Sequence, residues 1–180
     1  MVAPSGTDTR PTSDRARQAL FDMLLHAPWA GRNAVEGASV LDAFAGTGAL
    51  GLEALSRGAA GATFIECDAA ALRALRSNIA ACRAEQRCTV AAGDALDPPA
   101  GRLCGLVFLD PPYWQGLVAR ALERLATRGW VGPDTLIVAE TARDEVAPGA
   151  TPLLAERIHG AARISVWRAA DSSGPAGDRS

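Results

Sequence analysis

Val40-Leu41-Asp42-Ala43-Phe44-Ala45-Gly46-Thr47-Gly48-Ala49-Leu50-Gly51-Leu52-Glu53-Ala54-Leu55 is the stretch on which the fold turns. It begins apolar, passes through small residues and glycines, then resumes with apolar residues at helical spacing. That order predicts a buried strand, a tight turn and a helix. Gly46 and Gly48 let the backbone turn sharply and come close to a ligand, and Gly51 lets the new helix pack tightly on the strand. The unpaired N–H groups of the first helical turn then face whatever occupies the turn. Gly46, Gly48 and Gly51 also satisfy G-x-G-x-x-G, a fingerprint that is weak alone. Context strengthens it, because Glu66 ends the next predicted strand about 20 residues on, where a carboxylate accepts hydrogen bonds from ribose hydroxyls. A glycine turn with no ligand is the bland alternative. The ligand implied is an adenosine-type cofactor, either a nicotinamide dinucleotide or S-adenosylmethionine.

Outward from this core the chain alternates. On the C-terminal side, 62–66 is a second strand and 69–84 a helix with Leu72, Leu75, Ile79 and Cys82 inward and Arg73, Arg76 and Arg83 outward. A short third strand over 88–92 closes at Gly93-Asp94-Ala95. The nearly pure apolar run 103–109 suits a central parallel strand. A helix over 115–128 buries Leu117, Ala121, Leu122 and Leu125 and stops at Gly129. Strands follow at 134–140, 153–158 and 162–168, the last two a hairpin around His159-Gly160 at the sheet edge. On the N-terminal side, Pro11, a hydroxyl cap at Thr12 or Ser13 and Asp14 start a helix that runs to His26 and buries Ala16, Leu20, Met23 and Leu24. His26 reads as an ordinary helix-end residue. The architecture expected is α/β: a doubly wound, mostly parallel seven-stranded sheet with a C-terminal antiparallel hairpin. One domain is expected over 1–170 with helix 12–26 packed on it, followed by a disordered tail over 171–180.

Composition narrows the function classes. At 180 residues and a formal charge of −2, the chain carries no large uniform basic footprint, although a local one is compatible. All 18 basic residues are Arg, so any phosphate contact uses a guanidinium fork. Arg10, Arg15 and Arg17 form the densest cluster, either a solvated helix face or a contact to phosphate or to a cofactor carboxylate. Cys67, Cys82, Cys88 and Cys104 contain no C-x-x-C pair and lie far from His26 and His159, which argues against zinc. Cys67, Cys82 and Cys104 read as buried, reduced thiols. No apolar run has the length of a membrane span and no signal-type segment is present. A soluble, cytoplasmic, metal-free monomer is expected.

Asp42, Glu66, Asp94 and Asp110 all fall at predicted strand ends, the rim where ligands of such sheets bind. Asp94 could accept from an adenine amino group or simply form a turn. Asp110-Pro111-Pro112-Tyr113 leaves the central apolar strand. Its prolines fix φ and remove two N–H donors, so the Asp110 carboxylate and the Asp110 and Pro111 carbonyls make an acceptor set with no competing donor. Such a set suits an exocyclic –NH2 on a nucleobase, whose lone pair it steers toward an electrophile. Tyr113 offers a face for base stacking, ~1–3 kcal/mol. A proline-stiffened loop is the plain alternative.

These motifs resemble the class I S-adenosylmethionine-dependent methyltransferases, and the D-P-P-Y tetrad resembles their amino-methylating branch. The runs Arg10–Phe21 (R-P-T-S-D-R-A-R-Q-A-L-F), Asp42–Gly58, Phe64-Ile-Glu-Cys-Asp68 and Phe108-Leu-Asp-Pro-Pro-Tyr113 resemble the RsmD family, which methylates N2 of one guanine in 16S ribosomal RNA. The resemblance spans residues 10 to about 168. It implies that Asp42 and the backbone of Phe44, Ala45, Gly46, Thr47 and Gly48 hold the methionine part of the cofactor. It implies further that Glu66 takes the ribose hydroxyls and that Asp94 and Ala95 meet the adenine. Asp110 and Pro111 would accept from the guanine amine, stiffened by Pro112, while Tyr113 stacks on the base and Thr12 and Arg15 close the site. The methyl group passes in one in-line displacement and leaves S-adenosylhomocysteine, with no metal and no covalent enzyme intermediate. The implied partner is 16S rRNA or the assembling small ribosomal subunit. Amino-methylation of adenine N6 or of a protein glutamine shares the tetrad. A nicotinamide-dependent oxidoreductase shares only the glycine turn and would lack a catalytic Tyr-Lys pair here. A binding module without catalysis is the remaining class. The family carries a basic, glycine-containing segment before R-P-T. Only nine residues precede Arg10 here and none is basic, so the expectation is that the true start lies upstream or the chain is truncated.

Overall fold

Strict alternation along the strands builds two apolar layers from one sheet. The computed structural model describes residues 14–30, 34–145 and 152–169. The proposed cap at Thr12, Arg10 and the tail 171–180 lie outside these residues. The elements are α1 (Asp14–His26), β1 (Ser39–Asp42), α2 (Ala49–Ser56), β2 (Gly61–Glu66), α3 (Ala69–Ala81), β3 (Cys88–Ala92), β4 (Leu106–Leu109), α4 (Leu117–Thr127), β5 (Leu136–Ala142), β6 (Ala155–His159) and β7 (Ala162–Arg168), with one 3-10 turn at Glu85–Arg87. The sheet order is β3-β2-β1-β4-β5-β7-β6. β3, β2, β1, β4 and β5 pair in parallel, while β7 runs antiparallel between β5 and the edge strand β6. This is the mostly parallel seven-stranded sheet with a C-terminal hairpin that the sequence predicts.

Val40, Phe64, Leu106, Phe108 and Val138 face one layer, with Leu20, Phe21, Leu24, Leu52, Leu55, Leu72, Leu75 and Ile79 from α1, α2 and α3. Their strand neighbours Leu41, Ile65, Val107, Leu109 and Ile137 face the other, with Val118, Ala121 and Leu125 of α4 and with Trp130 and Trp167. Both faces of the central strands are therefore covered, which is why 106–109 is apolar at every position. α1 is fastened at two levels. Phe21 packs against Phe108 with ring centroids 5.7 Å apart. Above it, the Arg57 guanidinium lies 5.2 Å from the Phe21 ring centre and bonds Glu53, Asp22 and Gln18.

Several boundaries and burials differ from the sequence reading. The helix predicted to residue 84 ends at Ala81. Arg83 takes a left-handed φ of 53°, Arg83 N donates to the Ala80 carbonyl, and Ala84 N donates to the Ile79 carbonyl. This is the Schellman ending that glycines provide after α2 and α4. Cys82 is consequently exposed, and Ala84 fills the apolar slot instead. Cys67 is exposed as well, because the chain leaves the sheet there and its N–H turns to Glu66. Only Cys104 of the predicted thiols is buried, and burial pushes it up to about 11. The apolar run from 103 contributes a strand only from Leu106, and Leu103 is exposed. β5 runs two residues past the predicted end at 140. No helix among the described residues is long and apolar enough to cross a membrane.

Candidate active site

β1 and β4 lie side by side at the centre of the sheet, and the chain departs in opposite directions on either side of them. Doubly wound sheets form their ligand crevice at this switch point, beyond the strand carboxyl ends. The glycine turn leaves β1 there, and Asp110-Pro111-Pro112-Tyr113 leaves β4 beside it, tied by the Ala43 N–H donating to the Phe108 carbonyl at 3.0 Å.

The turn is built from backbone conformations that side chains oppose. Gly48 takes φ 82°, and a Cβ on it would stand 2.4 Å from Leu75 Cδ1. Gly51 leaves room for Phe64, whose Cε1 would lie 2.4 Å from an added Cβ. Two carboxylates then lock the turn. Asp42, at 2% exposure, accepts the Gly51 N–H at 3.0 Å through Oδ2. Desolvation lifts Asp42 from 3.8 to about 7, offset in part by the Gly51 N–H and reinforced by the charge of Glu66. Glu66 accepts Gly46 N–H at 2.7 Å on one oxygen, and Cys67 N–H at 2.8 Å and Asp68 N–H at 2.7 Å on the other. Asp68 in turn caps α3 by accepting from Ala71 N–H.

Asn78 is a residue the sequence reading missed. It is buried on α3 at 4% exposure and its Nδ2 donates to the Thr47 carbonyl at 3.0 Å. The available signal was a polar amide inside the helix's apolar stripe, next to Ile79.

Asp94 is exposed at the end of β3 and forms an Asx turn through Leu96 N–H at 2.8 Å, while Ala95 beneath it is buried. The Gly93 N–H donates to the Glu66 main-chain carbonyl, which joins this loop to the Glu66 loop. Asp42, Glu66 and Asp94 therefore belong to one connected rim. A Cβ built on Gly46 or on Gly93 would meet nothing within 4 Å, so both backbone faces are open. Accepting carboxylates beside bare glycine backbone fit an adenosine cofactor carrying ribose hydroxyls and a cationic centre.

On the β4 side Asp110 is half-buried and lines a pocket of about 10 Å³ with Leu20, Leu50, Val138, Glu140 and Ile164. Pro111 is buried, Pro112 exposed and Tyr113 half-buried. The Tyr113 hydroxyl donates to Glu140 on β5. Trp114 N–H donates to Glu145 Oε2 at 3.1 Å, an oxygen that also accepts from Ala142 N–H at 3.3 Å. Glu140, Glu145 and Trp114 carry no motif of their own and become visible only through the pairing of β4 with β5. Of the basic cluster, Arg15 is exposed on α1 and Arg17 stands 3.7 Å from Glu53. His26 is the exposed last residue of α1. Among the described residues, no group of three or more His, Cys, Asp or Glu side chains is placed to hold a metal ion.

A mostly parallel sheet with this order, a glycine turn on β1 with an acid ending β2, and D-P-P-Y after β4 define a class I methyltransferase. The family model described as "Conserved hypothetical protein 95" matches residues 1–168, and the chain belongs to this family, that of RsmD. Ribosomal RNA small subunit methyltransferase D of Escherichia coli K12 is 41% identical over 143 residues, 78% of this chain and 68% of that one. The solved structure of yhhF from Escherichia coli superimposes with a TM-score of 0.80 at 34% identity, covering 96% of this chain and 92% of that one. An RNA methyltransferase of Salinibacter ruber in complex with S-adenosyl-L-homocysteine shares the fold at 15% identity, with a TM-score of 0.66 over 93% of this chain and 97% of that one.

Proposed function

We propose that the chain transfers the methyl group of S-adenosylmethionine to the exocyclic N2 amine of a guanine in 16S rRNA, free or in the assembling small subunit, in the cytoplasm. The observation that carries this reading is the juxtaposition, across the switch point, of the acid-locked glycine turn on β1 and the D-P-P-Y tetrad on β4. The printed name of the Escherichia coli relative supports the ribosomal substrate. Family membership favours S-adenosylmethionine over the nicotinamide dinucleotide that the glycine spacing alone left open.

When bound, the cofactor supplies an electrophilic methyl carbon on a sulfonium. The turn from Phe44 to Gly48, with Asp42 beneath it, would hold the methionine portion, Glu66 the ribose and Asp94 with Ala95 the adenine. The Asp110 carboxylate and the Pro111 carbonyl accept the amine hydrogens and orient the nitrogen lone pair. The same acceptors would stabilise the positive charge that develops on nitrogen as the N–C bond forms and the S–C bond breaks, with the surplus amine proton then lost to solvent. Pro111 and Pro112 hold those acceptors without adding a donor. Tyr113 offers its ring to the guanine, with its hydroxyl anchored on Glu140. The half-buried Leu20–Asp110–Glu140 pocket keeps this side of the site largely apolar.

The test is methyl transfer from labelled S-adenosylmethionine to small-subunit particles lacking the modification, followed by nucleoside analysis. Label in N2-methylguanosine is expected. Label in N6-methyladenosine would keep the amino-methylating chemistry and overturn the target. Asp110→Ala is expected to abolish transfer with cofactor affinity nearly unchanged.

A further inference from the structure

The residue after the tetrad is the anomaly of this loop. Trp114 is 67% exposed, whereas Trp130 and Trp167 are buried at 7% and 4%. It takes φ 65°, a left-handed conformation that a bulky side chain disfavours. Such strain persists only where neighbours impose it. Here they do: the Trp114 N–H is held by Glu145 Oε2, and the preceding Tyr113 is held by Glu140. Glu145 is fixed in turn, since its carboxylate accepts from Ala142 N–H and its carbonyl accepts from Arg163 on β7 at 3.2 Å. The chain thus spends backbone strain to keep a large indole in solvent, at the mouth of the site, where packing gains nothing from it.

The surroundings select what the indole can meet. Glu145 accepts the Trp114 N–H, Glu140 accepts from the neighbouring Tyr113, and the guanidinium of Arg163 is already bonded to the Glu145 carbonyl. Carboxylates repel phosphate, so a nucleic-acid backbone is disfavoured there. An uncharged base face is not, and an indole stacks on any unpaired base. The proposed reaction needs such a contact, because a guanine amine is unreachable inside a stacked helix and the base must leave its neighbours.

We propose that Trp114 is a second aromatic platform, stacking on an unpaired RNA base next to the target guanine while that guanine occupies the site. This rests on the RNA reading above. Trp114 is a positioning residue: it contacts the substrate's neighbouring base and not the reacting atoms.

Two measurements on the full chain test it. The first is intrinsic fluorescence during titration with an RNA hairpin carrying an unpaired guanine in its loop. The exposed tryptophan should be quenched in the unmodified protein and in Asp110→Ala, and the quench should vanish in Trp114→Phe. The second is steady-state methyl transfer to small-subunit particles lacking the modification. Trp114→Ala should raise KM for the particles roughly 5- to 150-fold, with cofactor affinity unchanged, and Trp114→Phe should recover most of the loss. Trp114→Gly removes the ring while relieving the strained φ, so it reports the same loss if the alanine variant is poorly folded. A quench that persists in Trp114→Phe, no quench in the unmodified protein, or an unchanged KM in both Trp114→Ala and Trp114→Gly overturns the proposal. Failure of the unmodified protein to methylate RNA, with the Trp114-dependent quench intact, overturns the reaction assigned above and leaves the base contact standing.

Discussion

The hydroxyl of Tyr113 donates to the carboxylate of Glu140, so the last residue of the tetrad leaving β4 is anchored on β5. Glu140 also lines the small pocket that Asp110 lines. One carboxylate of β5 therefore holds the Tyr113 hydroxyl and borders Asp110 at once.

Glu140→Ala removes the acceptor and frees the ring. Loss of one positioning bond beside reacting groups is expected to lower kcat about tenfold. Cofactor affinity should be unchanged, since the glycine turn and its acids are untouched. Glu140→Gln keeps a carbonyl acceptor for the hydroxyl and should stay within about threefold of the unmodified protein. Steady-state kinetics on both variants decides it: equal losses in the two would show that the charge of Glu140, and not its acceptor role, matters.

The Asn78 bond to the Thr47 carbonyl makes a second, separable prediction. Asn78→Leu fits a buried helix position but leaves the turn carbonyl unpaired, at a cost of about 1–3 kcal/mol. The turn should then loosen. Cofactor affinity is expected to fall several-fold by calorimetry, while kcat at saturating cofactor changes little. A kcat loss with affinity preserved would remove Asn78 from the cofactor side of the site.

The parts of this site legible in the sequence are those that local chemistry dictates. The β1 turn shows through because its glycines are needed at fixed spacing against Phe64 and Leu75. The tetrad shows through because two adjacent prolines after an apolar run have few structural uses. Glu140 and Glu145 were invisible because their roles depend on β5 lying against β4. That is a tertiary fact with no periodicity to announce it. Cys82 was misplaced for a local reason that leaves little trace. The helix ends by putting Arg83, not glycine, into the left-handed conformation. Without the usual glycine stop, the apolar repeat reads on for one more turn.

That same ending predicts a stabilising substitution. Arg83 is exposed at φ 53°, so Arg83→Gly relieves the left-handed strain and forfeits no buried contact. The strain of roughly 1–2 kcal/mol outweighs the extra unfolded-state freedom of glycine, about 0.4–1 kcal/mol. A gain of about 0.5–1 kcal/mol is expected, or roughly 1–4 °C in Tm. Differential scanning calorimetry reads it directly, and a lower Tm would mean that the Arg83 side chain contributes more than the φ costs.

Asp42 should make stability and cofactor binding respond to pH near neutrality. Its carboxyl is raised from 3.8 to about 7, chiefly by desolvation. Below pH ~4 it is protonated folded or unfolded and contributes no difference. Between about pH 4 and 7 the unfolded chain releases the proton while the folded chain keeps it. The folded state then binds more protons, so this contribution falls as pH rises, on the order of 1 kcal/mol per pH unit, and levels off above pH 7. Asp42→Asn retains an oxygen for the Gly51 N–H and cannot titrate. Its stability relative to the unmodified protein should therefore rise between pH 5 and 7 and stay flat from pH 7 to 8, by urea denaturation at each pH. The cofactor works in the opposite direction. The sulfonium cofactor proposed above, held over the turn that Asp42 supports, would favour the ionised carboxylate, so its affinity should increase with pH up to about 7, with proton release visible by calorimetry in buffers of different ionisation enthalpy. Asp42→Asn should abolish that release. Equal release from both proteins would place the titrating group elsewhere on the rim.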